Sequence, residues 1–233
     1  MSDSIEPEIY VKLNLTFRAL RVINNRIIPT NWDITVDVIY DETPPQDQKL
    51  NQDIEVRGAL AKIRYWFNNI IDGSILFNRN NTWAVNAFTS LEGSQTLDNV
   101  LVLLPFDPTD EILAQVFQSK MNALAGNHIT FGAIDIASDD TEGLSFLFTG
   151  ISELNLPSMD EWIGERTYFS KPWWCRDDGS TLDVVPNEDN DLNDVPEFAI
   201  SLDFLVERFR PKDMPKAQII RAEFRPQVIK GGQ

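Results

Sequence analysis

The side chains best suited to catalysis are almost missing from this chain. Its 233 residues include one histidine, His128, and one cysteine, Cys175. A zinc site of the His/Cys type needs three or four such ligands, and an intrachain disulfide needs two cysteines. A Ser-His-Asp or Cys-His arrangement would depend on His128 alone, and no nucleophile motif lies near it. These classes of catalytic and structural site are therefore excluded or disfavoured.

Both single residues have simpler interpretations. His128 follows Gly126-Asn127, which is typical of a helix end, so its imidazole is expected to interact with the last helical carbonyls. Cys175 lies beside Arg176, which could lower its pKa, but the chain offers no second cysteine and no obvious base. We therefore expect a capping histidine and an inert thiol.

Carboxylates are the one abundant reactive group, with 36 Asp and Glu residues. Asp135 and the turn 139–142, as well as Asn187–Asp194, could supply oxygen ligands to Mg²⁺ or Ca²⁺. Their spacing departs from that of a calcium loop, and a polar turn and a solvated loop explain them without any ion. We expect no metal and no cofactor. A carboxylate-dependent hydrolase stays open as an alternative, because two acids at a set separation suffice for glycoside hydrolysis.

The net charge of −16 constrains the partners. Nucleic-acid binding is driven by Lys and Arg, so no direct binding to DNA or RNA is expected. An acidic protein could instead occupy the basic nucleic-acid-binding surface of a host protein, which is a second alternative. No apolar run reaches the roughly 20 residues of a membrane helix, and Met1–Glu6 does not resemble a signal peptide. We expect no membrane contact.

The first forty residues predict a β-hairpin. Apolar residues alternate with polar ones from Ile9 to Ala19 and again from Trp32 to Tyr40, which is typical of half-buried strands. The connection at Asn24-Asn25 is too short for a helical crossover, so the two strands must be antiparallel.

Two helices are predicted where the spacing of apolar residues changes from every second position to every third or fourth. Apolar residues recur at three and four positions from about Asn51 to the Asp72-Gly73 stop. A second helix is expected to begin with Asp107 as its N-cap and Pro108 in its first turn, and to end at Ala125-Gly126-Asn127. Further strands are expected at Ser74–Phe77, Thr82–Phe88, Val100–Leu104, Ile129–Ala137 and Leu144–Thr149, with Val100–Leu104 central in the sheet because it is apolar throughout.

The fold class that follows is α+β, a largely antiparallel sheet with two packed helices and a loop-rich C-terminal region. Residues 1–150 are expected to form the core domain. Residues 151–233 are acidic from Asp177 to Asp203, then basic, and are expected to pack on the core with strands at Phe198–Val206 and Gln218–Phe224. These opposite charges favour self-association, and we expect a homo-oligomer.

The segment Pro172-Trp173-Trp174 is the best candidate for recognition. On an extended backbone the two rings project to opposite sides, so one could anchor the segment while the other meets a partner. Trp and Arg are over-represented among interface hot spots. Trp173, Trp174 and Arg176 are therefore the predicted partner-binding residues. The alternative is that both rings fasten an irregular segment to the sheet.

Two stretches carry a resemblance. Phe17–Val22 with Ile28–Asp33, and the later Lys171–Gly179, resemble uncharacterised proteins of T4-like marine cyanophages. The resemblance covers about a third of the chain and implies a phage origin and an infected bacterial cell as the setting. It carries over no activity and no site.

These observations favour a non-catalytic phage protein that acts through protein–protein contacts. It would be a virion component, or an accessory of assembly or host interaction, found in the cytoplasm of an infected cell or in the virion. Its partner would be another protein or a second copy of itself.

Overall fold

A computed structural model of the protein describes residues 8–41, 49–89, 101–126, 129–150, 156–162, 171–177, 179 and 181. A π-helical turn is formed by Phe67–Ile71 and a 3₁₀ turn by Trp173–Cys175. The other elements are β1 (Glu8–Ile23), β2 (Arg26–Asp41), α1 (Lys49–Trp66), β3 (Ile75–Asn78), α2 (Thr82–Thr89), β4 (Leu101–Leu104), α3 (Asp110–Ala125), β5 (Thr130–Ser138), β6 (Phe146–Phe148) and α4 (Met159–Trp162).

The predicted N-terminal hairpin is confirmed. β1 and β2 are 16 residues each and pair antiparallel along their whole length, with Leu15 opposite Ile34. Asn24 and Asn25 form the turn with φ of 52° and 57°. A two-residue turn of this hand matches the twist of the strands, and asparagine tolerates the left-handed region better than most residues do.

The described strands form a six-stranded sheet in the order β4-β3-β1-β2-β5-β6. β3 runs parallel to β1 and to β4, while the pairs β1–β2, β2–β5 and β5–β6 are antiparallel. The sheet is therefore mostly antiparallel, and with its helices it forms the α+β fold that the sequence predicts.

One face of the sheet holds the aromatic core. Phe17 of β1 stacks on Trp32 of β2 with ring centroids 4.7 Å apart. Phe117 of α3 meets Phe17 edge-on at 5.5 Å, and Phe67 meets Phe117 at 5.3 Å. All four rings are buried. Such offset and edge-on pairs add to the free energy gained by burying the rings, so they fix α3 and the end of α1 on this face.

Residues 82–88 were predicted to be a strand, and this prediction is wrong because they belong to α2. Asn81 begins the helix: its side-chain Oδ1 accepts a hydrogen bond of 3.0 Å from the amide of Ala84. Phe88 of α2 contacts Phe77, which shares a face of the sheet with Val22. Successive side chains of a strand alternate between faces, so α2 covers the face opposite the aromatic core.

The start of α3 also differs from the expectation. Thr109 is the N-cap, and its hydroxyl accepts a hydrogen bond from the amide of Ile112. The predicted cap, Asp107, instead accepts a hydrogen bond of 3.1 Å from the side chain of Asn78. Asp110 and Glu111 occupy the first turn as expected, where the helix dipole favours negative charge.

β4 was predicted to be central, but it is the outermost described strand on its side of the sheet. Its four residues are all buried. Parallel strands covered on both faces are apolar whether or not they are central, and the outer edge of β4 is covered by the Trp173 segment described below. The apolar sequence of β4 therefore indicates that both faces of the strand are buried, and it does not indicate where the strand lies in the sheet.

Beyond residue 150, Trp162, Trp173 and Trp174 belong to the same core as the sheet. The division of the chain at residue 150 stays a prediction. His128, the strands expected at Phe198–Val206 and Gln218–Phe224, and nearly all of the acidic tract after Asp177 lie outside the described residues.

Candidate functional site

The tryptophan pair is buried on both sides. Trp173 is 0% exposed, Trp174 is 1% exposed and Arg176 is 6% exposed. The backbone is a 3₁₀ turn and not extended, and the two rings meet edge-on at 5.6 Å. The expectation that one ring faces outward is therefore wrong. This arrangement agrees with the alternative that both rings anchor the segment, and partner binding by Trp173, Trp174 and Arg176 stays untested.

Hydrogen bonds to β4 and α3 hold this segment. Trp173 donates from Nε1 to the carbonyl oxygen of Leu103 in β4 at 2.7 Å. Lys120 of α3 is fully buried, and its Nζ donates to the carbonyl oxygens of Trp173 and Arg176, both at 2.8 Å. A buried ammonium is costly unless it is hydrogen-bonded. Lys120 is thus a clamp between α3 and the tryptophan turn, which the amphipathic pattern of the helix did not indicate.

Cys175 is half-buried at the end of this turn. Burial raises the pKa of its thiol, and the opposing effects of a hydrogen bond with Ser119 and of the charges on Lys120, Lys171 and Arg176 are smaller. The thiol is therefore protonated at neutral pH, which agrees with the inert role expected for it.

A polar cluster joins the N-terminus of α3 to the sheet. Asp110 accepts hydrogen bonds from Trp32 Nε1 at 2.9 Å and from the Ser138 hydroxyl at 2.7 Å. The buried guanidinium of Arg21 lies 3.8 Å from Asp110 and pairs with Asp140. Burial lowers the pKa of Arg21, while Asp110 and Asp139 act in the opposite direction. Each carboxylate here already has a protein partner, so the cluster is a fastening between elements.

The turn 139–142 was weighed as a cation site. Asp139 accepts a hydrogen bond from Asn31, which lowers the pKa of its carboxyl group. Asp140 pairs with Arg21. In the part of the chain that the structure describes, no three His, Cys, Asp or Glu side chains are grouped to hold a metal ion. The turn is thus tied to the sheet by its own side chains.

The first half of β1 has an open edge, which we define as Tyr10–Thr16. In the hairpin, odd-numbered residues of β1 bond to β2, so the backbone groups of even-numbered residues point away from it. At Arg18 and Leu20 these outward groups are satisfied, because Gly73 donates to the carbonyl of Arg18 and Leu20 donates to that of Ser74. β3 pairs with β1 only at Leu20–Val22. No described strand lies beside Tyr10–Thr16.

The open edge contrasts with the edge of β4. Leu104 accepts a hydrogen bond from Arg79, which follows β3, so the carbonyl of Leu103 points outward, where Trp173 caps it. Along the open edge, Lys12, Asn14 and Thr16 are exposed. Proteins usually cover or shorten strand edges, because unpaired backbone groups bind other strands. A seven-residue edge that no described strand covers is therefore a candidate binding surface.

A groove of about 670 Å³ lies where the open edge ends. Arg18, Asp33 and Asp72 supply its charges, and the amide of Arg18 donates to Asp72 Oδ1 at 2.8 Å. Asp33 and Asp72 thus give the hydrolase alternative two acids in one concavity. The groove is lined by Thr16, Phe17, Arg18, Asn31, Trp32, Asp33, Asn68, Asp72 and Gly73.

The solvent face of the hairpin mixes both signs of charge. Lys12 lies opposite Asp37 in the register, and Arg18 lies opposite Asn31. Asp135 of β5 lies opposite Thr35. A protein that imitates nucleic acid would need a continuous row of carboxylates. On this face, among the described residues, cations on β1 flank the carboxylates of β2 and β5, so the face offers that alternative no support.

No helix among the described residues is long and apolar enough to cross a membrane. No protein-family model matches the chain, and no curated protein matches it.

Proposed function

We propose that the protein is non-catalytic and acts through protein–protein contacts made along the open edge of β1. The observation that carries this proposal is the seven-residue stretch Tyr10–Thr16, whose outward backbone groups have no described partner. An extended segment of another chain can add to such an edge, with backbone hydrogen bonds giving affinity and alternate side chains giving specificity.

The chemistry of the described core supports a role without catalysis. Arg21 and Lys120 are buried and Asp110 is partly buried, and each of these charged groups joins helices or turns to the sheet. Exposed apolar side chains near the sheet borders, Leu144 at 73% and Leu147 at 60%, add contact area beside β6.

The resemblance to cyanophage proteins supplies the setting of the proposal. The protein would act in an infected bacterial cell, as a virion component or as an accessory of assembly or host interaction. Mass spectrometry of purified virions separates these roles. A stoichiometric copy number supports a structural role, whereas presence only in the infected lysate supports an accessory role.

The edge itself is tested with Asn14→Pro. The amide of Asn14 points outward, so proline removes an edge donor without removing a bond of the β1–β2 ladder. Affinity capture from infected cells is compared for the wild type, Asn14→Pro and the control Asp135→Asn, which changes the same face on β5, two strands from the edge. A partner retained by the control and lost with Asn14→Pro supports the proposal. Equal capture by all three contradicts it.

The groove gives one observation in favour of a carboxylate-dependent hydrolase, since Asp33 and Asp72 both line it. Hydrolysis of a panel of glycosides and esters by the purified protein is the test. Activity that falls at least a hundredfold in both Asp33→Asn and Asp72→Asn, but not in Asp135→Asn, would replace the proposal made here.

A further inference from the structure

We infer that the strand added to the open edge is β1 of a second copy, running antiparallel about a two-fold axis at Leu13, so that the two sheets join into one. This inference rests on the proposed function and names its partner. An isologous contact of this kind uses one surface twice, so it needs an edge that complements itself.

Pairing of the side chains across the edge favours this register, whereas the length of β1, which begins at Glu8, does not fix the axis by itself. With the axis at Leu13, every outward residue of Tyr10–Thr16 meets an outward residue of the partner: Tyr10 faces the partner's Thr16, and Lys12 faces the partner's Asn14. Moving the axis to Lys12 places two lysines directly opposite each other, which is unfavourable. With the axis at Leu13 the partner's Glu8 reaches the position beside Arg18 that Gly73 occupies, so pairing stops at Tyr10. With the axis at Asn14 the partner's Tyr10 would already reach that position.

The apolar face supports the same register. Val11 lies on the core side of β1, yet 46% of it is exposed, whereas Leu13 and Leu15 are 5% and 7% exposed. With the axis at Leu13, Val11 is opposite the partner's Leu15. The incoming strand would therefore cover an apolar side chain that the described helices leave open.

Charge explains why two acidic copies can approach at this edge. Each chain carries a net charge of −16, which opposes contact over most of the surface. From Tyr10 to Arg18 the sequence contains Lys12 and Arg18 and no acidic residue. On the solvent face each Lys12 also has its own Asp37 opposite. The local charge at the junction is thus balanced and does not repel a second copy.

The register predicts a charge test by sedimentation equilibrium. Asn14→Lys places a lysine opposite the partner's Lys12, twice per dimer, and should weaken dimerisation about tenfold. Exchanging the two residues, Lys12→Asn with Asn14→Lys, restores a lysine–asparagine pair and should restore the wild-type affinity. The control Asp135→Asn changes the net charge by the same amount on the same face but two strands further from the edge, and should leave dimerisation unchanged.

Cysteine crosslinking tests the geometry independently. In a Cys175→Ser background, Lys12→Cys combined with Asn14→Cys should give a covalent dimer on oxidation, since directly opposite residues lie within disulfide reach. Asn14→Cys alone should not, because the two copies of residue 14 are diagonal in this register.

The outcomes separate the two proposals. A wild type that stays monomeric at the highest attainable concentration, or a dimer that is indifferent to Asn14→Lys, overturns the second copy as partner. If Asn14→Pro still abolishes capture of another protein in that case, the proposed function stands. Crosslinking of Asn14→Cys alone would overturn the register.

Discussion

The indole Nε1 of Trp173 donates a hydrogen bond of 2.7 Å to the carbonyl oxygen of Leu103, on the side of β4 that faces away from β3. One side chain thus closes the sheet edge at this point and places its ring against Trp66, with centroids 5.9 Å apart. The tryptophan turn is in this sense the cover of β4, whereas the first half of β1 has no equivalent among the described residues.

Replacing Trp173 with Phe keeps an aromatic ring but removes this donor and leaves a buried carbonyl oxygen unsatisfied. Trp66→Phe is the matched control, because the Trp66 indole nitrogen is buried without a hydrogen-bond partner. We expect Trp173→Phe to lower the free energy of unfolding by about 1 to 2 kcal/mol more than Trp66→Phe does. Urea denaturation measures both, and equal losses would contradict the importance of the bond.

Lys120→Met should be among the most damaging single substitutions on α3. Methionine fills similar space but leaves the carbonyl oxygens of Trp173 and Arg176 without the ammonium, at an expected cost of about 2 to 4 kcal/mol. Lys171→Met, an exposed lysine next to the same turn, should change stability by less than about 0.5 kcal/mol. Thermal unfolding of the two variants distinguishes a clamp from a general loss of charge.

Cys175 should react slowly in the folded protein. Burial raises the pKa of its thiol, so less thiolate is present at pH 8 than in an ordinary cysteine. We expect modification by a disulfide reagent to be slower than that of free cysteine at pH 8, to accelerate as the pH rises, and to become fast in denaturant. Cys175→Ser should fold normally. Rapid modification of the native protein at pH 7 would show that the thiol is activated.

The carboxyl group of Asp139 should titrate below the usual range of aspartate, because Asn31 donates a hydrogen bond to the charged form. A lowered pKa means that this contact stabilises the fold above the ordinary pKa of Asp and is lost as the pH falls through the lowered value. NMR titration should show the pKa rising towards its ordinary value in Asn31→Ala. Asn69→Ala, an exposed change on the π-helical turn, should leave the Asp139 pKa where it was.

Local patterns were enough to predict the hairpin, both long helices and the strands β3, β5 and β6. The alternation of apolar and polar residues in β1 and β2 directly indicates strands with one buried face. Residues 82–88 were predicted to be a strand because Thr82, Trp83 and Val85 favour strands. The helix is indicated instead by the preceding Asn81, whose side chain caps α2. Propensity in so short a segment is overruled by one cap and the packing of Phe88.

The candidate site was harder to predict. An open edge depends on where β3 stops pairing with β1, which is set by Gly73 and Ser74 binding residues more than fifty positions earlier in the chain. Nothing in the alternation of Tyr10–Thr16 distinguishes a paired strand from an unpaired one. The burial of both tryptophans likewise depends on Lys120, whose long-range bonds no local period reveals.

The bond between Trp173 and Leu103 spans 70 residues of chain, so at a synthesis rate of about 5 to 20 residues per second β4 would leave the ribosome roughly 4 to 14 s before its cover. During that interval the nascent sheet would expose an apolar strand with unpaired carbonyls. Chaperone occupancy on ribosome-bound chains should therefore be highest between the synthesis of β4 and that of the tryptophan turn, and Trp173 would end the most aggregation-prone stage of the protein's life.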